Sequence, residues 1–264
     1  KEKVLGGETL MLAAELVAEE SWEPQAIALN IVFEDQQLLV INKPAGLVVH
    51  PAAGNRDSTL LNALLHHAPA LATLPRAGIV HRIDKDTTGL LVVAKTLKAH
   101  SALVAQLQAK TAFREYHAIV QGVMTGGGKV DQPIGRHPTQ RTRQAVVHNG
   151  KPAVTHYRVE ERFRAHTHIR LQLETGRTHQ IRVHMAHIHY PLLGDQTYGG
   201  RLRLPKGATP ELIEALRQFR RQALHAARLG LEHPDSGEYC EWTAPLPEDF
   251  SAILDVLRQD LAHA

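Results

Sequence analysis

The chain has 264 residues, 43% of them hydrophobic and 22% charged, with a formal net charge of +3, which suits one large domain or two small ones with a sizeable core. Its one cysteine, Cys240, excludes an intrachain disulfide framework and a cysteine-rich zinc site, and fits a reducing, cytoplasmic setting. No apolar stretch approaches the ~20 residues of a membrane-spanning helix, and the acidic opening "KEKVLGGETLMLAAELVAEE" carries no signal-peptide core.

Residues 1–26 read as the tail of a preceding unit ("KVLGGETLML") and an acidic linker ending near Pro24. From residue 27 onward the texture is that of one domain, 27–264. "IVFEDQQLLVINKP" alternates strand, polar turn and strand, a hairpin pattern, and "GLVVHP" predicts a third short strand. "STLLNALLHHAP" predicts a helix with Ser58 as N-cap and Pro69 as its stop. "LLVVA" is a buried strand, and "LKAHSALVAQLQAK" has helical spacing. "FREYHAIV" alternates, with Arg114, Tyr116, Ala118 and Val120 on one face. Strands follow at "AVTHYRVEERF" and "HIRLQLET", then a short helix at "THQIRVHMAHI" with Ile181, Met185 and Ile188 on its apolar face. Thr209 and Pro210 open the next helix. "LGLEHPDSGEYCEW" is a hairpin, and the last helix is amphipathic through Phe250, Ile253, Leu254, Leu257 and Leu261. Strands outnumber helices and several are joined by tight turns, which predicts an α+β fold with a mainly antiparallel sheet.

Charge is uneven along the chain. Lys1 to Val40 hold two basic residues against eight acidic, whereas Gln132 to Gly194 hold ten basic, nearly all arginine, against three acidic. Such a segment points to a polyanion, and arginine favours nucleic acid because its planar fork fits phosphate. "RHPTQRTRQ" contributes Arg136, Arg141 and Arg143 without an acid, the composition of a loop that contacts backbone phosphates. "TGGGKV" fails as a phosphate loop, since Val123 and Val130 stand where Gly and Ser or Thr are needed, and is expected to be a hairpin turn. His184 and His187 in "HMAHIH" share a helical face, but no H-E-x-x-H accompanies them, so a catalytic metal is not expected.

Two stretches carry the chemistry. In "LETGRTHQIRVH" a strand ends at Glu174, Gly176 turns, Thr178 is the expected helix cap and Arg177 adds charge near the helix start. Arg182 lies one turn on, at the edge of the apolar face, where a guanidinium needs a carboxylate partner. "HRIDKDTTG" offers two, Asp84 and Asp86. A nucleophilic aspartate must stay ionised in a dry cleft, which a paired arginine secures. Asp84 alternates with Ile83, so one faces core and the other cleft, but local logic leaves Asp84 and Asp86 level.

Taken in order, "INKPAGLVVHP", "GIVHRIDKDTTGLLVVAKT", "REYHAIV", "KPAVTHYRV", "LETGRTHQIRVHMAHIHYPLLGDQTYGG" and "RQALHA" resemble the RluA-type RNA pseudouridine synthases, nearest the RluD-like subgroup that acts on large-subunit ribosomal RNA. The resemblance covers about residue 27 to the C-terminus. It implies a long, curved, mainly antiparallel mixed sheet in two sub-halves flanked by helices and loops, with the active site in a central cleft. Catalytic roles fall on Asp84, on Tyr116 stacking against the target base, and on Arg182 pairing with the aspartate. Substrate contacts fall on Leu224, which lines the base pocket, on Arg82, which enters the space left by the flipped base, and on its neighbour His81, with the phosphate contacts assigned to Arg177, Arg136, Arg141 and Arg143. It implies no cofactor and no metal, a monomer, and large-subunit ribosomal RNA or the assembling subunit as partner, with uridines of the helix 69 stem-loop as targets. Ile83 stands where leucine is commoner, and residues 1–26 would be the remnant of an N-terminal S4-like RNA-binding domain plus linker. Two other readings fit parts of the pattern: a non-catalytic ribosome assembly factor, and a metal-dependent phosphoesterase using Asp84, Asp86 and histidines.

Overall fold

The computed structural model describes residues 22–52 and 54–263, so the expected domain remnant lies, up to residue 21, outside the described residues. In chain order the strands and helices are β1 (Ile31–Glu34), β2 (Leu38–Lys43), α1 (Leu60–His67), β3 (Thr88–Ala94), α2 (Leu97–Ala109), β4 (Phe113–Gln121), β5 (Gly128–Asp131), β6 (Ile134–Arg136), β7 (Gln144–Val146), β8 (Val154–Arg162), β9 (His166–Leu173), α3 (Gln180–His187), α4 (Pro210–Gln218), β10 (Leu224–Glu232), β11 (Tyr239–Thr243) and α5 (Glu248–Ala262). The main sheet runs β1-β2-β3-β10-β4-β9-β8-β5, with β11 paired to β10, and β6-β7 form a separate two-stranded hairpin. All pairs are antiparallel except β3 with β10. The predicted α+β class is therefore the observed one.

Alternation along the strands distributes the core over both faces of the sheet. One face gathers Leu39, Ile41, Leu91, Tyr116, Ile169 and Leu224 under α1 and α3. Behind it, Leu38, Val40, Leu90 and Leu229 pack on Ala99 and Leu103 of α2, while Ile119 and Phe163 pack on α4 and α5. Central strands buried on both faces explain why "LLVVA" reads as a continuous apolar run. At the parallel junction Gly89 has φ +108°, and a Cβ there would stand 2.2 Å from the Ala226 carbonyl oxygen. Glycine is what lets β3 and β10 approach at that point.

Several expectations need correction. "GLVVHP" is not a strand: its Val48 and Val49 carbonyls accept from Leu60 and Leu61, so its hydrogen bonds go to the start of α1. The N-cap of α1 is Thr59, not Ser58, and forms a reciprocal capping box with Asn62. "TGGGKV" is not a hairpin turn; it leads from β4 into β5, which pairs with β8. Leu261, expected on the apolar face of α5, is 43% exposed, while Phe250, Ile253, Leu254 and Leu257 are buried.

Candidate active site

The site is built on the turn from Asp84 to Thr87. Ile83 enters the core at 5% exposure and Asp84 alternates away from it. The Thr87 N–H donates to the Asp84 carbonyl and closes the turn. Asp86, the alternative aspartate, contributes its carbonyl, which accepts from Arg221 Nη1 at 3.4 Å. Residues from "RQALHA" hold the turn from one side: Gln222 Nε2 donates to Thr87 Oγ1 at 3.1 Å, and His225 Nδ1 pairs with Thr88 Oγ1 at 2.9 Å. Lys43, fully buried at the end of β2, holds it from below. Its ammonium donates to the carbonyls of Pro44, Leu47 and Lys85 at 2.7–2.9 Å. Burial pushes this amino group down to about 7, with Asp86 and Asp84 acting in the opposite direction.

Arg182, on the first turn of α3, joins two carboxylates. Its Nη1 donates to Asp84 Oδ2 at 2.9 Å, while Nε and Nη2 form a fork onto Asp195 at 2.7 and 2.9 Å. Asp195 also accepts the Thr197 and Tyr198 N–H groups at 2.8 and 3.0 Å. Burial disfavours both charges, but Asp195 and Asp84 outweigh it and push Arg182 up, and Arg182 with the two N–H donors holds Asp195 below its ordinary value. The family resemblance named Asp84 as the partner, and neither it nor the residue pattern named Asp195, which carries the two-pronged contact. "GDQTYG" had the residue but no periodic signal pointing it at α3.

Asp84, Arg114, Tyr116, His179, Arg182 and Leu224 line one cavity of about 530 Å³, with His81, Arg82 and Arg177 also on its wall. Tyr116 is 6% exposed, and burial raises its phenol above the usual range. His81 accepts the Val92 N–H on Nε2 at 3.1 Å and is pushed down to about 3, mainly by burial and then by Arg114, so a neutral ring ties this loop to β3. Arg82 is exposed at the mouth. His179 Nε2 lies 3.8 Å from Asp84 Oδ1, and its Nδ1 meets the Tyr198 hydroxyl at 2.8 Å. Thr178 is not the cap of α3. His179 takes that position with φ 57° and no side-chain cap bond, and Gln180 folds back to accept the Arg177 N–H at 3.0 Å.

The three loop arginines separate in space. Arg136 lies on a second groove of about 550 Å³ with Lys151 and Arg177; among the described residues no acidic one lines that groove, which shares Gly176, Arg177 and Thr178 with the first. Arg141 is exposed between β6 and β7. Arg143 is engaged within the protein: it donates to the Thr197 carbonyl and to Gln140, and its guanidinium lies 5.1 Å from the Tyr198 ring centre. The Arg182 guanidinium stands 5.0 Å from the same ring. Tyr198, also unforeseen, thus links the β6–β7 hairpin to the carboxylate pair. His184 is no ligand partner for the exposed His187, because it is buried and both its ring nitrogens are engaged, by Thr155 and the Gln132 carbonyl. Among the described residues no helix is long and apolar enough to cross a membrane.

Residues 37–187 match the family model described as RNA pseudouridylate synthase. The chain is 63% identical over 257 residues to "Ribosomal large subunit pseudouridine synthase D" of Pseudomonas aeruginosa, covering 97% of this chain and 80% of that protein. It is 61% identical over 260 residues to the protein of the same name from Escherichia coli K12, covering 98% and 80%. Among solved structures, "Human RNA Pseudouridylate Synthase Domain Containing 4" aligns at TM-score 0.68 and 29% identity over 87% of this chain and 93% of that one.

Proposed function

The chain belongs to the RNA pseudouridylate synthase family, and on that premise we propose that it isomerises uridine to pseudouridine in large-subunit ribosomal RNA, as a cytoplasmic monomer, at uridines of the helix 69 stem-loop. The substrate class rests on the names borne by relatives at 61–63% identity, and the stem-loop on the resemblance to the RluD-like subgroup. The observation that carries the reading is Asp84: a carboxylate with 16% side-chain exposure, held at 2.9 Å by Arg182, facing a cavity that Tyr116 and Leu224 also line.

The reaction breaks the N1–C1′ bond, turns the base and rejoins it through C5. It gains and loses no atoms or electrons, so it requires no redox cofactor, and the reading gives no step to a metal. Asp84 serves as the carboxylate that acts on the nucleoside, by attack at C1′, by attack at C6, or by taking a ribose proton. Arg182 orients it, and Asp195 keeps the Arg182 fork in place. Tyr116 offers a ring face to the extruded uracil. Flipping costs least in a loop, where the base is already unstacked. Arg136, Lys151 and Arg177 supply phosphate contacts along the acid-free groove. Pseudouridine mapping of ribosomal RNA from cells with and without the protein tests the reading: loss of pseudouridine in the helix 69 loop is expected, and an unchanged map would overturn it.

A further inference from the structure

The cavity contains a cation that no carboxylate among the described residues neutralises. Arg114, the second residue of "FREYH", is 6% exposed, and among the described residues no carboxylate lies within 4 Å of its guanidinium. Its Nη2 reaches the Glu174 carbonyl at a long 3.3 Å, and its Nε is buried without a hydrogen-bond partner. By contrast, the equally buried Arg182 donates three hydrogen bonds to carboxylate oxygens shared between two aspartates. An arginine taken out of water without a partner costs several kcal/mol, and buried arginines are paired for that reason. The turn also makes room for it: a Cβ at residue 176 would stand 2.8 Å from Arg114 Nη1, so Gly176 leaves the space the guanidinium occupies. Alternation along β4 sets Arg114 on the face of Tyr116, and both line the cavity that contains Asp84. An unneutralised cation kept at such a cost beside a base-binding tyrosine is suited to a negative charge that arises in the cavity during the reaction.

We propose that Arg114 is a further catalytic residue, which donates to a carbonyl oxygen of the flipped uracil and stabilises the negative charge that the base acquires when it leaves C1′. The inference rests on the pseudouridine synthase reading and deepens it. When N1–C1′ breaks, the electron pair stays with uracil and spreads over N1, C5 and the two carbonyl oxygens. C5 of that anion then bonds to C1′, the C5 proton departs and N1 takes one up, so the product is an isomer of the substrate. Arg114 adds no atom at any step. Its charge and donors lower the energy of the anion between bond breaking and bond making.

The test is the single-turnover rate of N1–C1′ cleavage in a stem-loop RNA carrying either uridine or 5-fluorouridine at the target, with Arg114→Gln and Arg114→Lys. Fluorine makes the base a more acidic leaving group that relies less on outside stabilisation. On uridine, Arg114→Gln should lose about 100-fold or more, the cost of removing one donor from a developing anion, with RNA affinity changed less than about threefold. On 5-fluorouridine the loss should shrink to about tenfold or less, and Arg114→Lys should recover part of the uridine rate. Thermal melting supplies the second readout: Arg114→Gln should melt at or above the wild-type temperature, because it removes an unpaired buried charge. Equal losses on both nucleosides, or a loss confined to RNA affinity, would assign Arg114 to a phosphate and overturn the proposal. So would a lowered melting temperature with wild-type rates, which marks a purely structural arginine. If wild-type protein forms no pseudouridine in the RNA, the functional reading fails first, and the two failures are told apart by that control.

Discussion

Asp195→Asn keeps the size of the side chain and removes the charge that two guanidinium donors and two backbone N–H groups share. Removing one partner of a buried pair leaves the other uncompensated, so a loss of about 3 kcal/mol or more in urea unfolding is expected. The rate of pseudouridine formation should fall as well, although Asp195 is separated from the cavity by Arg182. A variant with wild-type stability and rate would show that Asp84 alone suffices to hold Arg182. At this scale the sequence was partly legible. The position of Arg182 at the edge of an apolar helix face signalled a carboxylate requirement, and alternation with Ile83 put Asp84 on the cleft side. It could not distinguish Asp84 from Asp86, which only the resemblance did, and it gave no sign of Asp195, because a partner thirteen positions away in an irregular loop leaves no periodic trace.

The β6–β7 hairpin and the turn before α3 frame the acid-free groove that joins the cavity at Arg177. Phosphate contacts release counterions, and each one removed lowers the slope of log affinity against log salt by roughly 0.7–0.9. The double variant Arg136→Ala, Lys151→Ala should therefore bind stem-loop RNA more weakly and with a slope shallower by about 1.4–1.8. An unchanged slope would place the RNA path elsewhere. Arg143→Ala should act differently, since its guanidinium is engaged with Thr197 and Tyr198: it should slow turnover by loosening Tyr198 against Arg182, with little change in the salt slope. Composition alone had grouped Arg136, Arg141 and Arg143 together, because charge counts do not say which arginines are already paired. Regular elements fared better, since alternation and capping residues are local signals. "GLVVHP" failed as a strand because a β-branched run gives its hydrogen bonds to whatever backbone is nearest, here the first turn of α1.

Across the molecule, buried and half-buried histidines shape the response to acid. His81, half-buried on the cavity wall, is pushed down to about 3, and the buried His166, His168 and His225 to about 4, mainly by loss of hydration in each case. In the unfolded chain they take protons near the ordinary 6.5, so between about 6.5 and 4 the unfolded state binds more protons and stability falls as pH drops. Each group contributes up to about 1.4 kcal/mol per pH unit, and the effect is absent above about pH 6.5. The urea midpoint should be nearly flat from pH 8 to 7 and fall steeply from 6.5 to 5; a flat midpoint down to pH 5 would contradict the burial of these rings. The α+β class was legible from strand spacing, whereas the course of the strands was not. The β3–β10 parallel junction depends on Gly89 meeting Ala226 across more than a hundred residues of chain. That junction brings Gln222 and His225 onto the turn beside Asp84, so the long-range fold positions the turn that carries this carboxylate. The most direct measurement is pseudouridine formation in large-subunit ribosomal RNA by Asp84→Asn beside Asp86→Asn, with RNA binding followed in parallel. Asp84→Asn should bind RNA and form no pseudouridine while Asp86→Asn loses far less, and substantial turnover by Asp84→Asn would contradict the role given to that carboxylate.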